Sequence, residues 1–366
     1  MYRAHKIRID CTKEQHSLLM QTAGCARYAY NWGLEKWGKM YEAWKADASK
    51  EKPSAFKLMN LWTIEKPEWA NKTARSAVTC SIQNLDKGFK GFSRRKTKHP
   101  KKHKRSQGIS FQLGNDTCSI VDNRLRLPNI SYVKLRELPR FQGKITGYTV
   151  QLIASHWYVT VAFDCPDVPK EAPESVVGID VGLQYPAVAS DGTILQLPIE
   201  KLQKLEAKKR RAQRALSRSQ RNSKSKERKR TKLQRIQQRI TNIRQDAVHK
   251  FTTTVCKNHA TVVTEDLDIS ELQKKAPARS VRRAYNSSLM STIHWQLSYK
   301  VQHLIKVNRF FPSSKTCSNC GHIRSDLTVG ERTYHCDNCG AVIDRDLNAA
   351  INLMKSGLVK PEVSVE

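Results

Sequence analysis

A multidomain α/β protein is what this sequence predicts, on three observations. Its 366 residues exceed the usual size of a single hydrophobic core. Strand patterns of two kinds occur: short alternating pieces within residues 108–163, and unbroken apolar runs at 175–182 and 259–267. Long stretches with apolar residues at helical spacing separate these strands, at 12–92 and again at 201–250.

In chain order, residues 2–9 read as a short basic strand, β-branched toward its end. Thr12 and Gln15 have the spacing of a capping box, and Leu18, Leu19, Thr22, Ala23, Ala26 and Tyr30 then recur with helical period. Further helix is expected through Trp37, Tyr41 and Trp44 and again over 72–92, with proline breaks at Pro53 and Pro67. Aromatics spaced this way are more often core than stacking platforms for bases. Residues 87–105 form a basic run, for which phosphate contact is a better account than a solvated loop. Five β-like pieces follow, at 109–111, 124–127, 132–135, 146–152 and 157–163. With the N-terminal strand they suggest a small β-barrel carrying the helical part as an insertion. Residues 166–173 hold three prolines and read as a linker.

Beyond the linker, the apolar strand at 175–182 contains Asp180, and a hairpin turns at Ser190–Thr193. Burying a carboxylate in such a strand costs free energy unless a cation or hydrogen-bond donors compensate, so a metal ligand is favoured over a turn aspartate. Residues 201–250 carry 19 Lys and Arg against 3 acids, yet keep an apolar stripe at Leu202, Leu205, Leu216, Leu233, Ile236, Ile240 and Ile243. One face packs and the other meets phosphate; a coiled-coil or ribosomal-type basic helix would share that partner. The strand at 259–267 ends in Glu265 and Asp266, which face opposite ways, so only one of them can join Asp180. A helix near 290–304 and a strand near 306–310 then lead to the cysteines.

Cys317, Cys320, Cys336 and Cys339 form C-x2-C-x15-C-x2-C, a spacing that suits a closed structural Zn2+ site. Gly321 and Gly340 follow the pairs where a tight turn needs positive φ. The other six cysteines are scattered, consistent with reduced thiols. Asp346 falls at the start of a final helix, and on spacing alone it serves either as a metal ligand or only as a cap.

The formal charge of +32 calls for a polyanionic partner. There is no apolar run of membrane-spanning length, and residues 1–6 lack a signal-peptide core, so a soluble, cytoplasmic protein is expected. Asp180, Glu265 and Asp346 are of the type that holds hard Mg2+, and two such ions answer both electrostatic problems of phosphodiester hydrolysis.

Residues 178–182 (Gly-Ile-Asp-Val-Gly), 264–267 (Thr-Glu-Asp-Leu), the four cysteines and 344–350 (Asp-Arg-Asp-Leu-Asn-Ala-Ala), in this order, resemble the split RuvC-type nuclease of the TnpB family. These are insertion-sequence-encoded relatives of type V CRISPR effectors. Residues 30–34, 126–128 and 314–317 are similar to that family too, so the likeness spans nearly the whole chain. It implies an RNase H-like RuvC nuclease core with a four-cysteine zinc-finger insertion, a wedge-type β-barrel and a helical recognition lobe. On that likeness the wedge occupies 1–10 and 106–168, the recognition domain 11–105, the nuclease core 169–311 and 343–366, and the zinc insertion 312–342. It also implies a noncoding guide RNA, recognition of a transposon-adjacent motif, and Mg2+-dependent cutting of double-stranded DNA by Asp180, Glu265 and Asp346. The sequence does not fix the oligomeric state, for which a monomer with one RNA is favoured. Asp344 matches the family's preceding Asp and is not expected to be catalytic. A guided DNA-binding regulator that no longer cuts is the alternative, but such derivatives typically lose an acidic ligand, and all three are present here. A transposase that itself joins strands fits the resemblance less well.

Overall fold

The computed structural model describes residues 2–47, 49–166, 172–183, 185–221, 223–328 and 330–358. Most of the expected linker at 166–173 lies outside them. The chain divides into two compact units, 1–167 with 230–235, and 168–229 with 236–366.

In the first unit, β1 (Tyr2–Asp10) leads to α1 (Lys13–Ala46), α2 (Ala55–Glu65) and α3 (Arg75–Ser93). The strands β2 (Ile109–Leu113), β3 (Ser119–Val121), β4 (Arg124–Leu127), β5 (Ser131–Leu135), β6 (Lys144–Ile153) and β7 (His156–Asp164) follow. The expected capping box is present: Thr12 Oγ1 accepts from Gln15 N and Gln15 Oε1 accepts from Thr12 N. From it α1 runs unbroken through both of the segments expected as helix before Pro53. The seven strands are antiparallel in the order β2-β6-β7-β1-β5-β4-β3. β1 therefore sits mid-sheet, pairing with β7 from Tyr2↔Asp164 to Ile9↔Trp157 and with β5 at Ile9↔Leu135, and α1–α3 are an insertion into that sheet. No ladder joins β2 to β3 among the described residues, so the hydrogen bonding leaves the sheet open there. Alternation puts Ile7, Ile9, Leu125, Val133, Val150, Val159 and Val161 in one core with Leu19, Ala23 and Ala26 of α1. Trp37, Leu58, Trp62, Ile82 and Leu85 form a second core among the helices; of the aromatics expected along α1, Trp37 is buried and Tyr41 is exposed. β3 had no clear signal, being three residues long.

The second unit begins with β8 (Val176–Asp180) and β9 (Val188–Ala189), then the basic helices α4 (Ile199–Ser217) and α5 (Lys224–Asn258). Next come β10 (Thr261–Glu265), α6 (Ile269–Lys275), α7 (Arg279–Ser287), α8 (Met290–Lys300) and β11 (His303–Val307). The cysteine segment with β12 (Thr333–His335) and β13 (Val342–Asp344) precedes α9 (Arg345–Leu358). The sheet order is β11-β10-β8-β9, the first three parallel and β9 antiparallel. The expected strand near 306–310 forms earlier, at His303–Val307, where it pairs residue for residue with β10. α6 and α7 were not anticipated; they are short and polar.

Period two gives this sheet two faces. Val177, Ile179 and Val262 pack with Val248, Phe251 and Val255 of α5 and with Ile293 and Leu297 of α8. Gly178, Asp180, Val263 and Glu265 belong to the opposite face, where α9 lies. A Cβ at Gly178 would collide with the backbone of Ala350 and Met354, and one at Gly357 with the Val263 side chain. Glycine at both positions is what lets α9 lie against β8 and β10.

Candidate functional site

The parallel register sets Thr264 beside Ile179, so Glu265 and Asp180 end adjacent strands on the α9 face. Asp180 was expected inside its strand; β8 instead stops at it, and the residue is half-buried at the strand end. Burial first, then the negative charges of Glu265 and Asp346, push the Asp180 carboxyl up to about 7. The Glu265 carboxyl is raised by burial, against a hydrogen bond donated by Ser313 Oγ. Asp346, in the first turn of α9, is raised by burial and by Asp344, with Arg332 Nη1 3.9 Å from its Oδ2. Three carboxylates 166 residues apart at their extremes therefore share one electrostatic environment, which is costly unless a cation joins them.

The reading of Asp346 as a helix cap alone is not what forms. Asp344 Oδ1 accepts from both Asp346 N and Leu347 N, each at 3.0 Å, so Asp344 is the cap and the Asp346 carboxylate is left for other work. Asp266 likewise turns away from the cluster, to Lys306 at 3.2 Å and Arg309 at 3.9 Å.

Among the described residues, only Cys317, Cys320, Cys336 and Cys339 bring three or more potential ligand atoms within 4.8 Å of one another. Cys317 and Cys339 Sγ are 3.7 Å apart, and Cys320 and Cys336 Sγ 3.5 Å. A tetrahedron with zinc–sulfur bonds of about 2.3 Å has edges of about 3.8 Å, so the donor set fits a metal such as zinc. Each knuckle closes by a glycine amide, Gly321 N to Cys317 O and Gly340 N to Cys336 O, both 2.9 Å, with the two glycines at φ +78° and +69°. Amide donation supports thiolate: Asn338 Nδ2 lies 3.5 Å from Cys320 Sγ and draws that thiol down to about 6. The carboxylate oxygens are spread more widely than the sulfurs. That suits a hard cation that keeps several of its own waters.

The α4–α5 pair is held by Leu202, Leu205 and Ile240 with Ile236 and Ile243, five of the seven positions of the expected stripe, Leu216 and Leu233 falling outside this cluster, and most of its basic side chains face outward. Among the described residues no helix is long and apolar enough to cross a membrane.

Three family models match parts of the chain. Residues 158–276 match one described as "Probable transposase", 287–353 one described as "Cas12f1-like, TNB domain", and 1–45 one described as "Helix-turn-helix domain". An Escherichia coli K12 protein named "Putative RNA-guided DNA endonuclease InsQ" is 28% identical over 97% of this chain and 92% of its own length. The Acanthamoeba polyphaga mimivirus "TnpB-like protein L79" is 28% identical over 34% of this chain and 25% of its own. The chain is similar to the TnpB family. Its fold is similar to the Cas12f1 chain of a cryo-EM Cas12f1–sgRNA–target DNA complex, with a TM-score of 0.56, 14% identity and coverage of 97% of this chain and 98% of that one. The chain thus has a Cas12 effector-like mixed α/β fold with a Cas12f1-like TNB domain. In this chain residues 1–45 fold as β1 and one continuous helix rather than as two helices about a turn.

Sequence reasoning gave no role to Ser313, Asn348 or Asn352, although all three are buried beside the site. The unusual polar positions on the apolar face of α9 were the available signal.

Proposed function

We propose that this chain is an RNA-guided DNA endonuclease that binds a noncoding guide RNA in the cytoplasm and cleaves double-stranded DNA beside a short transposon-adjacent motif. The observation that carries this reading is the convergence of Asp180, Glu265 and Asp346 at the ends of β8 and β10 and the start of α9. The similarity to the Escherichia coli protein named as a putative RNA-guided DNA endonuclease supports it.

In this reading the second unit contains an RNase H-like RuvC core, 169–311 and 343–366, interrupted at 312–342 by the cysteine module. The seven-stranded sheet serves as the wedge barrel, and α1–α3 as the recognition domain. Asp180, Glu265 and Asp346 hold Mg2+, two ions together, and the four thiolates hold one structural Zn2+. When bound, the magnesium ions supply a hydroxide nucleophile near neutral pH and offset charge on the leaving oxygen. The chain's own part is to fix three oxygens on rigid strand and helix ends and to keep Asp344 occupied as a cap. The outward lysines and arginines of α4 and α5 contact phosphates, reading backbone and shape while base pairing reads sequence.

The test is cleavage of a target plasmid by the protein with its co-purified RNA and Mg2+. Asp180→Ala is expected to lower the rate on the order of 10³-fold or more. Equal cutting by the variant would remove this site, and an absence of cutting by the unmodified complex would favour a guided DNA-binding regulator. Sequencing of the co-purified RNA, with a structured transcript ending in a variable tail as the expected result, separates guided from unguided activity.

A further inference from the structure

From the buried contacts around Glu265, which rest on the nuclease reading above for their purpose, we infer that Ser313 is a positioning residue. It links the cysteine module to the carboxylate cluster through Asn352 and Asn348 of α9. Ser313, Asn348 and Asn352 are 4%, 0% and 5% exposed. Polar side chains this deep are retained only where their hydrogen bonds are made.

Each of these bonds joins a different part of the site. Ser313 Oγ donates to Glu265 Oε1, engaging one carboxylate oxygen and leaving Oε2 as the freer ligand atom. The Ser313 carbonyl accepts from Asn352 Nδ2 at 2.8 Å, and the same amide reaches Thr316 O at 2.6 Å. One turn earlier on α9, Asn348 Nδ2 donates to Thr316 O at 2.7 Å, while its Oδ1 accepts from Ser318 N at 2.8 Å. Thr316 and Ser318 flank Cys317, so Asn348 brackets the first cysteine of the first knuckle. Thr316 is itself tied back to Pro312 O through its N at 3.0 Å and Oγ1 at 2.9 Å, making 312–316 a rigid turn.

The consequence is geometric. The helix that presents Asp346 also holds, through two amides, the turn that presents Ser313 to Glu265, and that turn runs directly into the first metal-binding knuckle. Groups that orient a ligating carboxylate typically change metal affinity or activity 10–100-fold when removed. A metal-filled knuckle fixes 316–318, the clamp fixes Ser313, and Ser313 fixes the rotamer of Glu265. The tetrathiolate site then acts on the nuclease site as well as on its own module.

The test uses the full chain with its RNA and three variants, Ser313→Ala, Ser313→Thr and Asn352→Ala. Two readouts besides cutting are taken: the Mn2+ concentration giving half of the cation-induced rise in unfolding temperature, and zinc content by elemental analysis. Ser313→Ala is expected to raise the Mn2+ half-point about tenfold with zinc content unchanged, and Ser313→Thr to restore it by keeping the hydroxyl. Asn352→Ala is expected to raise the Mn2+ half-point and to lower zinc retention as well. Coincident Mn2+ curves for Ser313→Ala and the unmodified protein would overturn the positioning role. Zinc loss in Asn352→Ala with an unshifted Mn2+ curve would overturn the coupling. No Mn2+ response in the unmodified protein would overturn both. If the unmodified complex fails to cut DNA yet Mn2+ affinity follows the expected order, the nuclease reading falls while the positioning stands.

Discussion

The two candidate metal centres of the second unit are built in opposite ways. The four cysteines lie within 23 residues, aimed by local turns that each need one glycine at positive φ. The three carboxylates come from positions 180, 265 and 346 and meet only because two strands pair in parallel and a helix lies across them. The first can take shape wherever its knuckles form; the second exists only in the assembled core. Soft thiolates close a compact tetrahedral set, whereas the carboxylate oxygens stand farther apart.

The contrast makes its sharpest claim about where damage spreads. Cys317→Ser should abolish zinc binding and unfold the cysteine module, because metal binding to such sites contributes apparent folding free energy on the order of 10 kcal/mol. Elemental analysis and limited proteolysis across 312–342 would register it, and full zinc retention would contradict a local tetrathiolate site. Gly178→Ala addresses the long-range site. With no flexible side chain to yield on the α9 backbone, it should cost about 3 kcal/mol by denaturant midpoint and reduce cutting further than stability alone predicts. Zinc content should barely change.

A smaller effect follows from proton linkage. Asp180 is raised to about 7 in the folded chain, well above an unfolded aspartate. The folded state holds that proton more tightly, so its contribution to stability is complete below the unfolded value and is lost as pH rises through about 7. Cation-free protein should therefore lose stability between about pH 4 and about pH 7, and Asp180→Asn should make that slope shallower. Melting temperatures across this range, with the zinc site left filled, provide the check. Smallest of all is Asp344→Ala, which removes the cap of α9 and should cost about 1 kcal/mol. Cutting should persist at a rate within a few-fold, and a loss as deep as that of Asp180→Ala would place Asp344 among the ligands instead of beside them.

How much was legible differs along the chain for identifiable reasons. The capping box at Thr12, the period-two strands and the knuckle glycines are local signals, and each forms as read. β11 was displaced by three residues because its position is set by pairing with β10, a partner about forty residues away. Asp346 was readable as a cap because it precedes a helical run, but only coordinates show that Asp344 accepts the amides of that first turn. Ser313 gave no periodic signal at all, since its role depends on a contact 48 residues away.

By itself the sequence determined the chemistry of the parts: thiolates at metal spacing, carboxylates ending apolar strands, an excess of positive charge, and the periods that make each strand and helix. These depend on residues a few positions apart, where backbone geometry alone fixes neighbours. Tertiary structure alone decided that Asp344 and not Asp346 caps α9, that glycines at 178 and 357 admit α9 to the sheet, and that a buried serine donates to Glu265. Those facts depend on register and close packing between distant segments, where a shift of one residue turns a side chain to the opposite face.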